Sequence, residues 1–179
     1  MHIDTELDCG ICQLRPLHER DIPTLAHLAN NPKIAAHLRN RFPNPYSIED
    51  ARHFLKYAQS TEGEVVSAIA IEGELVGIIG LLFRTDIERC SAELGYWLGE
   101  PYWGLGLATT VVREFTAWAM PRFSLTRVYA EVISSNPASS RVLEKAGFLR
   151  VGLLKLAAVK HGEYHDYILF DLTRQPNCR

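Results

Sequence analysis

The sequence has little of the material that usually announces a function. Its 179 residues include only four cysteines, Cys9, Cys12, Cys90 and Cys178. A zinc site needs a second ligand pair beside "CGIC", and neither Cys90 nor Cys178 sits in one. A thioredoxin-like pair follows a strand and opens a helix, whereas this one precedes the strand-like "ICQLRPL", so the thiols read as buried or incidental. No charge of one sign dominates, and the net charge of -2 offers no bulk attraction to nucleic acid or anionic lipid. No apolar run approaches membrane-spanning length, and "MHIDTELDCGICQL" lacks a basic region followed by an apolar one. These absences point to a cytoplasmic protein without nucleic-acid or membrane partners. With no low-complexity run, repeat or linker, residues 1–179 are expected to form one domain, the last few as a flexible tail.

What is present has a clear order. "DIPTLAHLANN" carries Ile22, Leu25, Leu28 and Ala29 at helical spacing, Pro32 interrupts it, and "KIAAHLRN" reads as a further short helical turn. Ser47 and Asp50 form a capping-box pattern ahead of "IEDARHFLKYAQ". The texture then changes to β-branched runs: "EVVSAIAI" and "LVGIIGLLF" around a turn, then "AELGYWL". A helix near "LATTVVREFTAWAM" ends close to Pro121, and "RVYAEVIS" follows as a strand. In "NPASSRVLEKAGF" Asn136 suits an N-cap, Pro137 the first helical position and Gly147 the stop. "LRVGLLKL" and "EYHDYILFDL" close the chain as a hairpin. The expected class is α/β (α+β), in the order β-α-α-β-β-β-α-β-α-β-β.

Between "AELGYWL" and the following helix lies "EPYWGLGLAT", two alternate glycines at a strand-to-helix junction. A helix start leaves backbone N–H groups without internal partners, and its dipole favours an anion. Gly104, Leu105, Gly106, Leu107 and Ala108 therefore form a candidate pyrophosphate cradle built from main chain alone. The stretch lacks the Gly-Lys-Ser/Thr of a P-loop, and Thr109 stands where a dinucleotide fingerprint has its third glycine or alanine. A tight turn in which glycine merely relieves crowding remains the competing explanation.

In combination, these pieces resemble the GNAT superfamily of acyl-CoA-dependent N-acetyltransferases, and more narrowly its RimJ/RimL type. "AELGYWLGEPYWGLGLAT" is similar to the acetyl-CoA signature in its Tyr-Trp-Gly-x-Gly-x-Ala form. "NPASSRVLEKAGF" is similar to that branch's Asn-x-x-Ser-x-Arg-Val-Leu-Glu-Lys-x-Gly-Phe helix. The opening "LRPLHERDIPTLAHLANN", the stretch "FPNPYSIEDARHFL" and the closing "GEYHDYILF" extend the likeness along nearly the whole chain. Pro101 stands where the wider superfamily often has Gln or Arg, which removes one side-chain phosphate contact and leaves a backbone cradle intact. The resemblance implies a central mixed, mostly antiparallel twisted sheet of about seven strands flanked by about four helices. It also implies acetyl-CoA as donor co-substrate, no metal, and a monomer or homodimer. The acceptor it implies is a primary amine such as a protein N-terminus. The alternatives are a small-molecule amine (a polyamine, amino acid or aminoglycoside) or a non-catalytic acyl-CoA-binding module.

By the same resemblance, pantetheine would lie along Tyr96, Trp97 and Leu98 where "AELGYWL" and "RVYAEVIS" splay apart. Asn136 and Ser139 would approach the thioester, Ser139 giving a proton to the departing thiolate. Helix capping explains the same two residues equally simply. An oxyanion calls for backbone N–H groups near Trp97 or Leu98. Glu93 is the candidate base, acting directly or through water, with a salt-bridged strand residue as the plain alternative. Strand alternation puts Glu93 and Trp97 on one face and Tyr96 and Leu98 on the other, and both faces stay open. His161, Tyr164, His165 and Asp166 bracket a turn, the wrong geometry for a helical zinc pair. Trp103 and Trp118 are expected to pack, and Lys33, Arg39 and Arg41 to be solvated surface.

Overall fold

A computed structural model describes residues 5–175. The expected tail and Cys178 fall largely or wholly outside that range. Among the described residues, one sheet of eight strands carries five α-helices. The strands are β1 (Leu7–Asp8), β2 (Gln13–Arg15), β3 (Glu64–Ile71), β4 (Glu74–Phe83), β5 (Ser91–Leu98), β6 (Arg127–Ile133), β7 (Leu149–Lys160) and β8 (Glu163–Thr173). The helices are α1 (Ile22–Ala29), α2 (Pro32–Ala35), α3 (Ile48–Ser60), α4 (Leu107–Arg122) and α5 (Pro137–Lys145). The expected class and order hold. The extra strand is the two-residue β1, folded back on β2 across the Cys9–Cys12 turn and too short to show a period. The extra helix is the four-residue α2.

The sheet order is β1-β2-β3-β4-β5-β6-β8-β7, antiparallel everywhere except between β5 and β6. That parallel contact covers only Ser91–Arg127, Ala92–Val128 and Glu93–Tyr129. Beyond it the two strands diverge. β5 continues along β4 as far as Leu98, and β6 continues along β8 as far as Ile133, so each outer pairing holds its strand away from the other. The result is an open wedge in the middle of an otherwise hydrogen-bonded sheet.

Burial divides between the two faces. Leu94 and Leu98 of β5 pack with Val111, Phe115 and Phe170 in the core that includes α4. Trp97, one residue out of phase, packs with the core of Leu25, Ala51, Leu55 and Ile78 that includes α1 and α3. Strand alternation thus assigns opposite neighbours to adjacent residues of β5. Ser47 and Asp50 cap α3 reciprocally, with Ser47 N–H donating to Asp50 at 2.8 Å and Asp50 N–H to Ser47 Oγ at 3.2 Å. Asn136 caps α5 by accepting from Ser139 N–H at 3.1 Å.

A buried ion pair locks the N-terminal segment to the sheet. Arg15 donates to both oxygens of Asp21, at 2.7 and 2.8 Å, and to the carbonyl of Gly73 in the β3–β4 turn at 2.8 Å. Asp21 also accepts from His18 N–H at 2.8 Å. Burial pushes the Asp21 carboxyl up, but the Arg15 guanidinium and the His18 amide outweigh it and hold the group below its ordinary range. The pair therefore stabilises the fold above the unfolded carboxylate pKa of about 3.9, and that contribution is lost as pH falls through the lower folded value. Asp21→Asn leaves a buried guanidinium without its counter-ion and is expected to cost about 3 kcal/mol in urea unfolding. The variant should also lose the share of the acid-side slope that Asp21 contributes.

Candidate active site

The wedge becomes a cleft because helices start at its edges. Its volume is about 810 Å³, and Glu93, Tyr96, Trp97, Leu98, Gly104, Gly106, Leu107, Ala108, Asn136 and Ser139 all line it. Leu105 is the exception among the anticipated residues. Its side chain is 68% exposed at the crest of the turn and does not line the cleft.

The direction of each main-chain group on β5 follows from two bonds. Arg84 N–H donates to Ser91 C=O, and Gly99 N–H donates to Val76 C=O, both at 2.9 Å. Odd-numbered residues of β5 therefore turn their peptide groups toward β4, and Leu94, Tyr96 and Leu98 turn theirs into the wedge. This corrects one expectation: the N–H of Trp97 faces β4, so only Tyr96 and Leu98 offer amides near that end of the gap. Trp103 supplies a second correction. It stands before α4, off the helix's apolar stripe, is 43% exposed, and lines the cleft with Nε1–H donating to Leu98 C=O at 2.8 Å. Trp118 does pack, against Phe115 and Phe123.

On the α4 side, Gly104 and Gly106 adopt left-handed backbone, with φ of 76° and 77°. A Cβ at either position would meet no atom within 4 Å, so crowding is not what requires glycine there. The conformation is, and it leaves open space before the helix. No side chain caps α4. The first bond back into the helix is Thr110 N–H to Gly106 C=O at 3.2 Å, and the amides ahead of it have no helical partner. On the α5 side, Ser139 Oγ lies 2.8 Å from the Tyr96 hydroxyl. Burial pushes Tyr96 up to about 12 against the opposing pull of that hydrogen bond. Tyr96 thus stays a neutral phenol in the physiological range.

The opposite end of the cleft is charged. Glu93 is joined by Arg39 through one carboxylate oxygen and by Arg84 through the other, the latter at 3.2 Å. Arg39 also lies 3.7 Å from Glu131 of β6. Lys33 pairs with Glu100, and Arg41 stands over the Tyr57 ring at 5.9 Å. All three are exposed, as expected, yet each has a partner, and Arg39 has its own because the chain after α2 folds over the wedge. Lys160 of β7 donates to Leu38 C=O at 2.7 Å and so ties this segment to the last hairpin. His37 lines the same cleft, and partial desolvation together with the Lys160 charge holds the imidazole of this largely exposed residue below the ordinary range, hence neutral at pH 7. Sequence reading did not find His37, Glu131 or Tyr167 at this wall, since three separate segments bring them together. His161 and His165 do not line the cleft, and no metal-ligand cluster occurs among the described residues.

Residues 12–149 match the family described as Acetyltransferase (GNAT) domain. The chain belongs to that GNAT family. It is 30% identical over 99 residues to the ribosomal-protein-serine acetyltransferase of Escherichia coli (strain K12), a match covering 55% of each protein. Matches to curated relatives span from 54% to 92% of their lengths. Among solved GNAT-like structures, the ribosomal L7/L12 alpha-N-protein acetyltransferase RimL in complex with coenzyme A superposes with a TM-score of 0.81 at 22% identity, covering 92% of this chain and 94% of that one. The spermidine N-acetyltransferase of Vibrio cholerae in complex with CoA and spermine gives 0.77 at 23%, covering 92% and 96%. At such identities the likeness is one of fold, and it extends to enzymes named for unlike acceptors.

The two explanations of the glycine pair make different predictions. Gly104→Ala or Gly106→Ala should each cost about 1–2 kcal/mol in chemical unfolding, the cost of a left-handed residue in open space. A loss well above that range would mean that packing, not backbone conformation, demands glycine.

Proposed function

We propose that this chain transfers the acetyl group of acetyl-CoA to a primary amine, and that the amine is the N-terminal α-amine of a protein. The observation that carries the reading is the wedge itself, with free amides at one end and a charge-balanced wall at the other. Gly104, Gly106, Leu107 and Ala108 would hold the pyrophosphate by main chain, and the turn at Leu105 would contribute its amide. The exposed edge at Leu94, Tyr96 and Leu98 would pair with the amide-bearing arm as it would with a peptide. Asn136 would fix the entrance to α5 and so the place of Ser139. Residues 1–179 would act as one domain in this role.

The chemistry falls to a few groups. Ser139 would give its proton to the departing thiolate while taking one through its hydrogen bond with the Tyr96 phenol, which solvent would then reprotonate. The Tyr96 amide, nearer Glu93, would support the oxyanion and leave the Leu98 amide to the arm, and both are oriented by β4 pairing on the far side. An α-amine titrates near 8, so removing its proton asks little of a base. Glu93 would take that proton once a guanidinium releases one oxygen, and neutral His37 is a second basic group on the same wall. A protein N-terminus is preferred to a polyamine because the guanidiniums of Arg39 and Arg84 already balance Glu93 and Glu131, so a polycation's further ammonium groups find no uncompensated carboxylate there.

Saturating acetyl-CoA should raise the melting temperature by mass action. No shift with folded protein would remove the donor assignment, whatever the acceptor. Glu93→Gln is expected to lower kcat about 100-fold. Retained activity in that variant together with loss in His37→Phe would move the base to His37. Tyr96→Phe and Ser139→Ala should each lower kcat while leaving acetyl-CoA affinity within about twofold, and the double variant should fall little further than Ser139→Ala.

A further inference from the structure

We propose that Arg39 holds the place of the acceptor's ammonium group and, once displaced, binds an anionic group beside the acceptor amine. The proposal rests on the acetyl-transfer reading above and names the acceptor class within it: an N-terminus followed closely by acidic residues. Four charges meet where β5 and β6 part. Glu93 and Glu131 come from the two strands, Arg84 from the end of β4, and Arg39 from the segment after α2. The two carboxylates are the more sheltered groups, with side chains 13% and 26% exposed, whereas Arg39 is 54% exposed. Arg84 is fixed from behind, its Nε donating to the Tyr129 hydroxyl at 2.6 Å. Arg39 has no such second anchor among the described residues. It is the cation of the set held by the two carboxylates alone among the described residues.

Charge balance then selects the acceptor. Two carboxylates face two guanidiniums, so the wall is neutral before substrate arrives. An ammonium that takes the place of Arg39 between Glu93 and Glu131 brings one positive charge into excess. The surroundings do not absorb it. Lys160 lies 8% exposed behind Leu38, and no carboxylate pairs with it among the described residues. Lys33 lines the same cleft nearer the glycine turn, where Glu100 matches it. The displaced Arg39 stays tethered at the mouth, where the residues after the acceptor amine must pass. A carboxylate on those residues restores neutrality and gives the planar guanidinium a two-pronged partner. A basic residue there adds repulsion instead.

The test compares two peptides that share a first residue, one continuing Ser-Glu-Glu and the other Ser-Lys-Lys, with acetyl-CoA as donor. Native protein should favour the acidic peptide by about tenfold or more in kcat/KM, mostly through KM. Arg39→Ala should bring the ratio near one, and Arg39→Lys should keep part of it, with KM for acetyl-CoA within about twofold in both. The acetyl-CoA thermal shift, preserved in each variant, verifies folding and donor binding independently. Equal use of the two peptides by native protein, preference for the basic one, or an unchanged ratio in Arg39→Ala overturns the role of Arg39. Acetylation of peptides in those cases leaves the parent reading standing. If acetyl-CoA stabilises the protein but native protein acetylates no peptide, the N-terminal reading falls, and this one with it.

Discussion

Everything notable about this structure depends on a parallel contact that stops after three residue pairs. A sheet seldom leaves peptide groups unpaired in its interior, because each buried donor or acceptor without a partner carries a desolvation cost. Here β5 and β6 separate in mid-sheet, and the separation is held by pairing on their outer edges. The wedge is thus no defect of packing. It is a stable opening whose walls are strands, and helices α4 and α5 begin beside it.

From that opening follows a division of labour by strand parity. Neighbouring residues of β5 send their side chains to different cores and their peptide groups to different strands. Tyr96 points its phenol to Ser139 on the α5 side, while Glu93 and Trp97 look toward the segment that follows α2. A single strand thereby serves both ends of one cleft, and a shift of one residue in its register against β4 would exchange every role.

Much of this was legible in the sequence, for identifiable reasons. Ser47, Asn136 and Pro137 sit at helix starts because their local chemistry is self-sufficient, and no distant contact was needed to place them. The glycine pair was legible as a junction, but its reason was not: only backbone angles distinguish a need for left-handed conformation from a need for space. Trp103 was misread because it sits one turn ahead of a helix whose apolar stripe it does not join. The charged wall was the least legible part. Arg39, Glu93 and Glu131 are far apart in the chain, and nothing local in "AAHLRNRF" announces that it folds over a strand junction. Residues that owe their position to topology leave no mark on sequence periodicity.

The indole of Trp103 has an effect that reaches beyond packing. By engaging the carbonyl of Leu98 it closes the last acceptor on the free edge of β5. A chain laid along that edge finds carbonyls only at Leu94 and Tyr96, and amides only at Tyr96 and Leu98, because the Leu94 amide belongs to the last pairing with β6. One end of the ladder is blocked to donors, so a guest strand has a fixed starting rung and cannot slide. The ring acts as a ruler, setting in advance how deep an extended ligand can be seated.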